Sequence, residues 1–142
     1  AGDTAAAIRA FEMAVLTGEA EVRQHALTSL ALLFRRDGRY DEAALLWQQV
    51  LDDARPGYGL SAIERRAAEA LAIHHEHRAK DLASAKRYAE TLDSEGAMAN
   101  TRVKQEVDRR LQRLDRKMSQ TNSRKTSRKI RSADDSRQRT MI

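Results

Sequence analysis

Three of the four histidines, His74, His75 and His77, crowd around Glu76, and imidazole beside carboxylate is a pairing that binds zinc or moves protons. A helical zinc-protease site needs two histidines four residues apart with a glutamate after the first. The run His75-Glu76-His77-Arg78-Ala79 does not supply that spacing. His74 and His77, three apart, can share a helix face, but no third ligand stands near them and His25 is distant in the chain. The adjacent carboxylates, Asp52-Asp53 and Asp134-Asp135, point apart on a loop instead of converging on one substrate. There is no cysteine, which removes disulfides, thiolate metal sites and a thiol nucleophile together. No glycine-rich phosphate loop or nucleophile elbow is present. We therefore expect no catalytic, metal-binding or cofactor-binding residue and no cofactor.

Charge is the next candidate, and it is unevenly placed. Of 26 basic and 21 acidic residues, seven and two fall in 119–142, so 1–118 holds 19 of each and is neutral. The high pI thus says nothing of the body's surface. Arg124, Lys125, Arg128, Lys129 and Arg131 could contact phosphates with salt-sensitive, sequence-independent affinity, so nucleic acid is a possible partner through the tail. No aromatic residue interleaves them, which leaves no platform for base stacking. From Ser119 onward Ser, Thr, Asn, Arg and Lys alternate, a composition that cannot bury enough surface to order itself, and a disordered tail is expected over 119–142.

Apolar periodicity dictates the elements that would position any site. Hydrophobic residues make up 41% of the chain and aromatics 4%, with one proline, which favours alanine-rich helix-on-helix packing over strands. Leu27, Leu30, Ala31 and Phe34 stand at i, i+3, i+4 and i+7, and Ala43, Trp47 and Val50 at i, i+4 and i+7. The two stripes flank the turn Arg36-Asp37-Gly38-Arg39-Tyr40 and predict an αα-hairpin over 20–36 and 40–53. Helices are also predicted over 4–16, 61–78 and 82–92, the fourth opened by the capping box Ser61-Ala62-Ile63-Glu64. After Asp93-Ser94-Glu95-Gly96, the residues Val103, Val107, Leu111, Leu114 and Met118 draw one narrow stripe, suited to a capping helix over 94–118. No apolar run is long enough to span a membrane.

The spacing Leu27, Leu30, Ala31, Phe34, Gly38, Tyr40, Ala43, Trp47, Val50 resembles the tetratricopeptide repeat. A shift of 36 residues maps Gly38, Ala43, Trp47 and Val50 onto Gly2, Ala7, Phe11 and Ala14, and a shift of 42 maps the last three onto Ala85, Ala89 and Leu92, with Lys80 for the glycine. The resemblance implies an all-α solenoid, a right-handed stack of tetratricopeptide-like hairpins over 1–93 whose first repeat is truncated. It also implies that the chain was cut from a longer protein. In that family the first helix of each hairpin lines a groove for peptides or partner helices. Carried over, His25, Thr28, Leu32, Arg35 and Arg36, together with Arg66, Glu69, Ile73 and His77, would face the partner, as would Ser29, Ala70 and Glu76. His75 would replace the usual buried aromatic, with His74 and His77 on the surface. Thr28 and Leu32 stand where a carboxylate-clamping groove has polar residues, so that specificity is not expected. Arg35 and Arg36 suit an acidic partner.

Two stretches are similar to something narrower. Residues 30–43 and 71–82, with His75-Glu76-His77-Arg78 the most distinctive part, resemble the C-terminal helical region of bacterial proteins whose N-terminal half is a ribonuclease H-like, exonuclease-type domain. This resemblance implies a cytoplasmic, non-catalytic accessory scaffold. Its partner is a protein, a peptide or a preceding domain of the same chain, and any nuclease chemistry lies outside these residues.

Overall fold

The computed structural model describes residues 3–55, 57–94 and 101–140. They form α1 (Thr4–Thr17), α2 (Ala20–Arg36), α3 (Tyr40–Asp52), α4 (Ala62–His77), α5 (Leu82–Ser94) and α6 (Thr101–Arg139), with no strand among the described residues. The chain is all-α as expected. Local chemistry explains where the helices begin. The Asp3 carboxylate accepts from the Ala6 N–H at 3.1 Å to open α1. Ser61 and Glu64 complete the predicted capping box at α4, the serine hydroxyl accepting from Glu64 N–H and the glutamate accepting from Ser61 N–H. Asp81 accepts from both the backbone and the hydroxyl of Ser84 at the start of α5.

Helix ends follow from left-handed residues. At the end of α2 the Arg39 N–H reaches back to Phe34 O at 2.8 Å and the Gly38 N–H to Arg35 O at 3.1 Å, the Schellman pairing that needs a left-handed residue after the helix. Gly38 supplies it at φ +78°. In the corresponding turn between α4 and α5 the left-handed residue is Lys80, at φ +57°, the position that the 42-residue shift pairs with Gly38.

Each helix packs on the next in chain order, and α2 also touches α4. Leu27, Ala31, Trp47, Val50, Ala67 and Leu71 form the central cluster. Leu30, Phe34 and Ala43 form a second cluster, against which Ile8 and Phe11 of α1 lean. Ala85, Ala89 and Leu114 join α5 to α6. Ala31, Ala67, Ala68, Ala72, Ala85 and Ala89 have no exposed surface at all; a methyl group at each of these sites lets neighbouring backbones approach. No residue of α1 is buried.

The C-terminal third departs from expectation. A capping helix over 94–118 and a disordered tail over 119–142 were expected, and the structure instead carries one helix from Thr101 to Arg139. The expected entry at Glu95-Gly96 and the turn glycine Gly2 lie outside the described residues. Composition limits what a segment can bury, whereas helix propagation depends on backbone hydrogen bonding and residue propensity. No glycine or proline interrupts 101–139. The hydroxyls of Thr121, Thr126 and Ser136 bond back to the carbonyls four residues earlier. The burial argument holds in another form: every residue from 119 to 140 is exposed.

Candidate functional site

The end of α2, the start of α3 and the end of α4 enclose a cleft of about 230 Å³. The tight turn at Gly38 places it, because α3 folds back at once along α2 and brings Tyr40, Ala44 and Trp47 to the cleft. From α2 comes Arg35, and from α4 come Ala70, Ile73, His74 and Arg78. Trp47 forms the floor and is 4% exposed, while Ile73 stands 42% exposed at the rim. Small side chains at 43, 44 and 70 leave the room between them. The Arg78 guanidinium lies over the Tyr40 ring, 3.1 Å from its centroid, a cation–π contact that holds that cation at the mouth.

His74 is not the surface residue expected from the sequence. Its side chain is only 13% exposed, with Nε2 3.6 Å from Asp41 Oδ1. Burial lowers its pKa below the ordinary histidine value; His75 and Arg78 add to the shift and Asp41 opposes it. The imidazole is therefore neutral at pH 7 and belongs to the apolar wall of the cleft. His75 is partly buried and stacks on Tyr88, with ring centroids 5.5 Å apart.

The remaining predicted groove residues do not form one continuous surface. Arg66 and Glu69 line a second cleft of about 260 Å³ between α4, α5 and α6, where Glu69 lies 3.7 Å from Arg110. His25 and Arg36 are exposed and line neither cleft. Thr28 is buried and its hydroxyl donates to Gln24 O at 2.9 Å, so it offers nothing to a partner. Leu32 is half-buried against the central cluster. Ser29 is partly buried on the same helix.

Glu76 is the largest departure. Its carboxylate is fully buried and accepts from Arg113 Nε at 2.8 Å, from a terminal guanidinium nitrogen of Arg113 at 2.9 Å and from Lys117 Nζ at 2.6 Å. Those hydrogen bonds, Arg113 foremost, hold its pKa at about 2 against the opposing effect of burial. Glu76 thus fastens α6 to α4 and does not face a groove. His77 is exposed, with Nε2 3.6 Å from the same carboxylate.

Arg124, Lys125, Arg128, Lys129 and Arg131 sit on the exposed part of α6, far along the chain from either cleft. Among the described residues no three His, Cys, Asp or Glu side chains converge as metal ligands, and no helix is long and apolar enough to cross a membrane. Sequence reasoning missed the share of the cleft that comes from α3 and Arg78, although the short turn at Gly38 was a usable signal. No family model, curated protein or solved structure matches the chain.

Proposed function

We propose that this chain is a non-catalytic, tetratricopeptide-like scaffold that binds a protein segment in the cleft between α2, α3 and α4. The reading rests above all on one observation: Arg35 and Ile73, both expected to face a partner, line the same cleft over the Trp47 floor. At about 230 Å³ the cleft is smaller than the roughly 300 Å³ at which small-molecule sites begin. It suits one large apolar side chain. With Arg35 and Arg78 at its rim, it suits one flanked by carboxylates. The repeat-like arrangement draws support from the packing of each helix on the next, from the contact of α2 with α4, and from the left-handed residues Gly38 and Lys80 at matching turns. In the same proposal the chain serves a ribonuclease H-like protein as its accessory helical region, with catalysis residing elsewhere.

Trp47 is the single tryptophan and reports on the cleft directly. Titration with a short peptide carrying Leu or Phe between Asp and Glu is expected to shift its emission. Arg35→Glu is expected to weaken that binding about tenfold or more, equivalent to at least about 1.4 kcal/mol. Unchanged emission at millimolar peptide, or equal affinity in Arg35→Glu, refutes the reading.

A further inference from the structure

We propose that residues 119–139 of α6 form a helical arm that docks on double-stranded nucleic acid. Arg110, Arg113, Lys117, Arg124, Arg128 and Arg131 follow one another at steps of 3, 4, 7, 4 and 3 residues, which places them along one face of a continuous helix. The first three already bind anions within the body: Arg110 pairs with Glu69, and Arg113 and Lys117 with Glu76. The last three lie on the exposed part of the helix, and no ion pair engages them among the described residues. The face that binds Glu69 and Glu76 in the body therefore continues outward as a strip of unpaired arginines, with Asp135, four residues beyond Arg131, as the acidic residue in line with it.

Two features decide which anion it takes. In the body α6 packs through an apolar stripe that ends at Met118; one heptad on, the stripe position is Lys125 and the next is Lys129. Ile130 is the one large apolar side chain from 119 to 139 and is 65% exposed. An acidic protein surface or a bilayer would find no apolar area to bury against. A polyphosphate needs none, since released counterions drive its binding. Residues 101–139 contain no aromatic side chain, so single strands gain no stacking. A duplex remains. The arm spans about 32 Å at 1.5 Å per residue, and a helix about 10–12 Å wide fits a major groove of about 12 Å.

The test is fluorescence anisotropy of the full chain with a labelled 20-base-pair DNA duplex and with one of its strands, across 50–200 mM NaCl. The net tail charge of +5 sets an expected log–log salt slope of about −4.5, a loss of roughly 10²-fold or more over that range. Arg124→Gln/Arg128→Gln/Arg131→Gln changes only exposed side chains and should flatten the slope by about 2.7, with circular dichroism verifying the fold. No salt-dependent duplex binding at 50 mM overturns the proposal. So does an unaffected triple variant, tighter binding of the single strand, or binding to anionic vesicles without binding to duplex.

Discussion

At the residue scale Glu76 carries the attachment of the last helix. Its folded pKa of about 2 lies below the ordinary 4.5, so the stabilisation is fully present above pH 4.5 and is lost as pH falls toward 2. A shift of that size corresponds to about 3 kcal/mol for a buried carboxylate. Glu76→Gln should therefore lower stability by about 3 kcal/mol at pH 7 in urea unfolding, in line with the cost of breaking a buried pair. The difference from the parent protein should shrink steadily between pH 4.5 and 2. Helical spacing put Glu76 in the groove because spacing reports only which face a residue occupies. Nothing local indicates that Arg113 and Lys117, 37 and 41 residues away, would cover it. Lys80 is the converse case, since register alone located the turn that the structure resolves at φ +57°. Lys80→Gly relieves a left-handed lysine at the expense of a floppier unfolded chain, and should raise stability by about 0.5–1 kcal/mol in the same assay.

At the scale of elements, the first five helices were legible because each has a local start or stop signal. Asp3, Ser61 and Asp81 accept backbone hydrogen bonds at or just before three starts, and Gly38 ends α2. The sixth runs longer than its composition suggests because burial and helix propagation depend on different properties. The run of Ser, Thr, Arg and Lys correctly implied that nothing is buried from 119 to 140, but an unburied segment with no breaker continues a helix already nucleated by the packed part. Truncation after Met118 should leave the unfolding free energy from urea titration unchanged within about 0.5 kcal/mol, because exposed positions with no partner contribute little. Amide exchange should likewise be slow in 107–118, where Val107 and Leu114 are buried, and fast along the arm, where only the helix's own hydrogen bonds protect it.

For the whole molecule, packing in chain order makes most contacts local, and α4 joins successive hairpins by packing on α3 and also touching α2. That architecture leaves two surfaces of different character. One is a small apolar cleft rimmed by Arg35 and Arg78. The other is the uncovered cationic length of α6. An acidic peptide could be drawn to either, so the decisive measurement locates binding by residue. Amide and indole chemical shifts of the isotope-labelled full chain should be followed during titration with a peptide carrying Leu between Asp and Glu. Saturable shifts confined to 35–47 and 70–78, with the Trp47 indole among them, are the expected result. Absence of shifts there at millimolar peptide, or shifts restricted to 119–139, would contradict a partner-binding cleft.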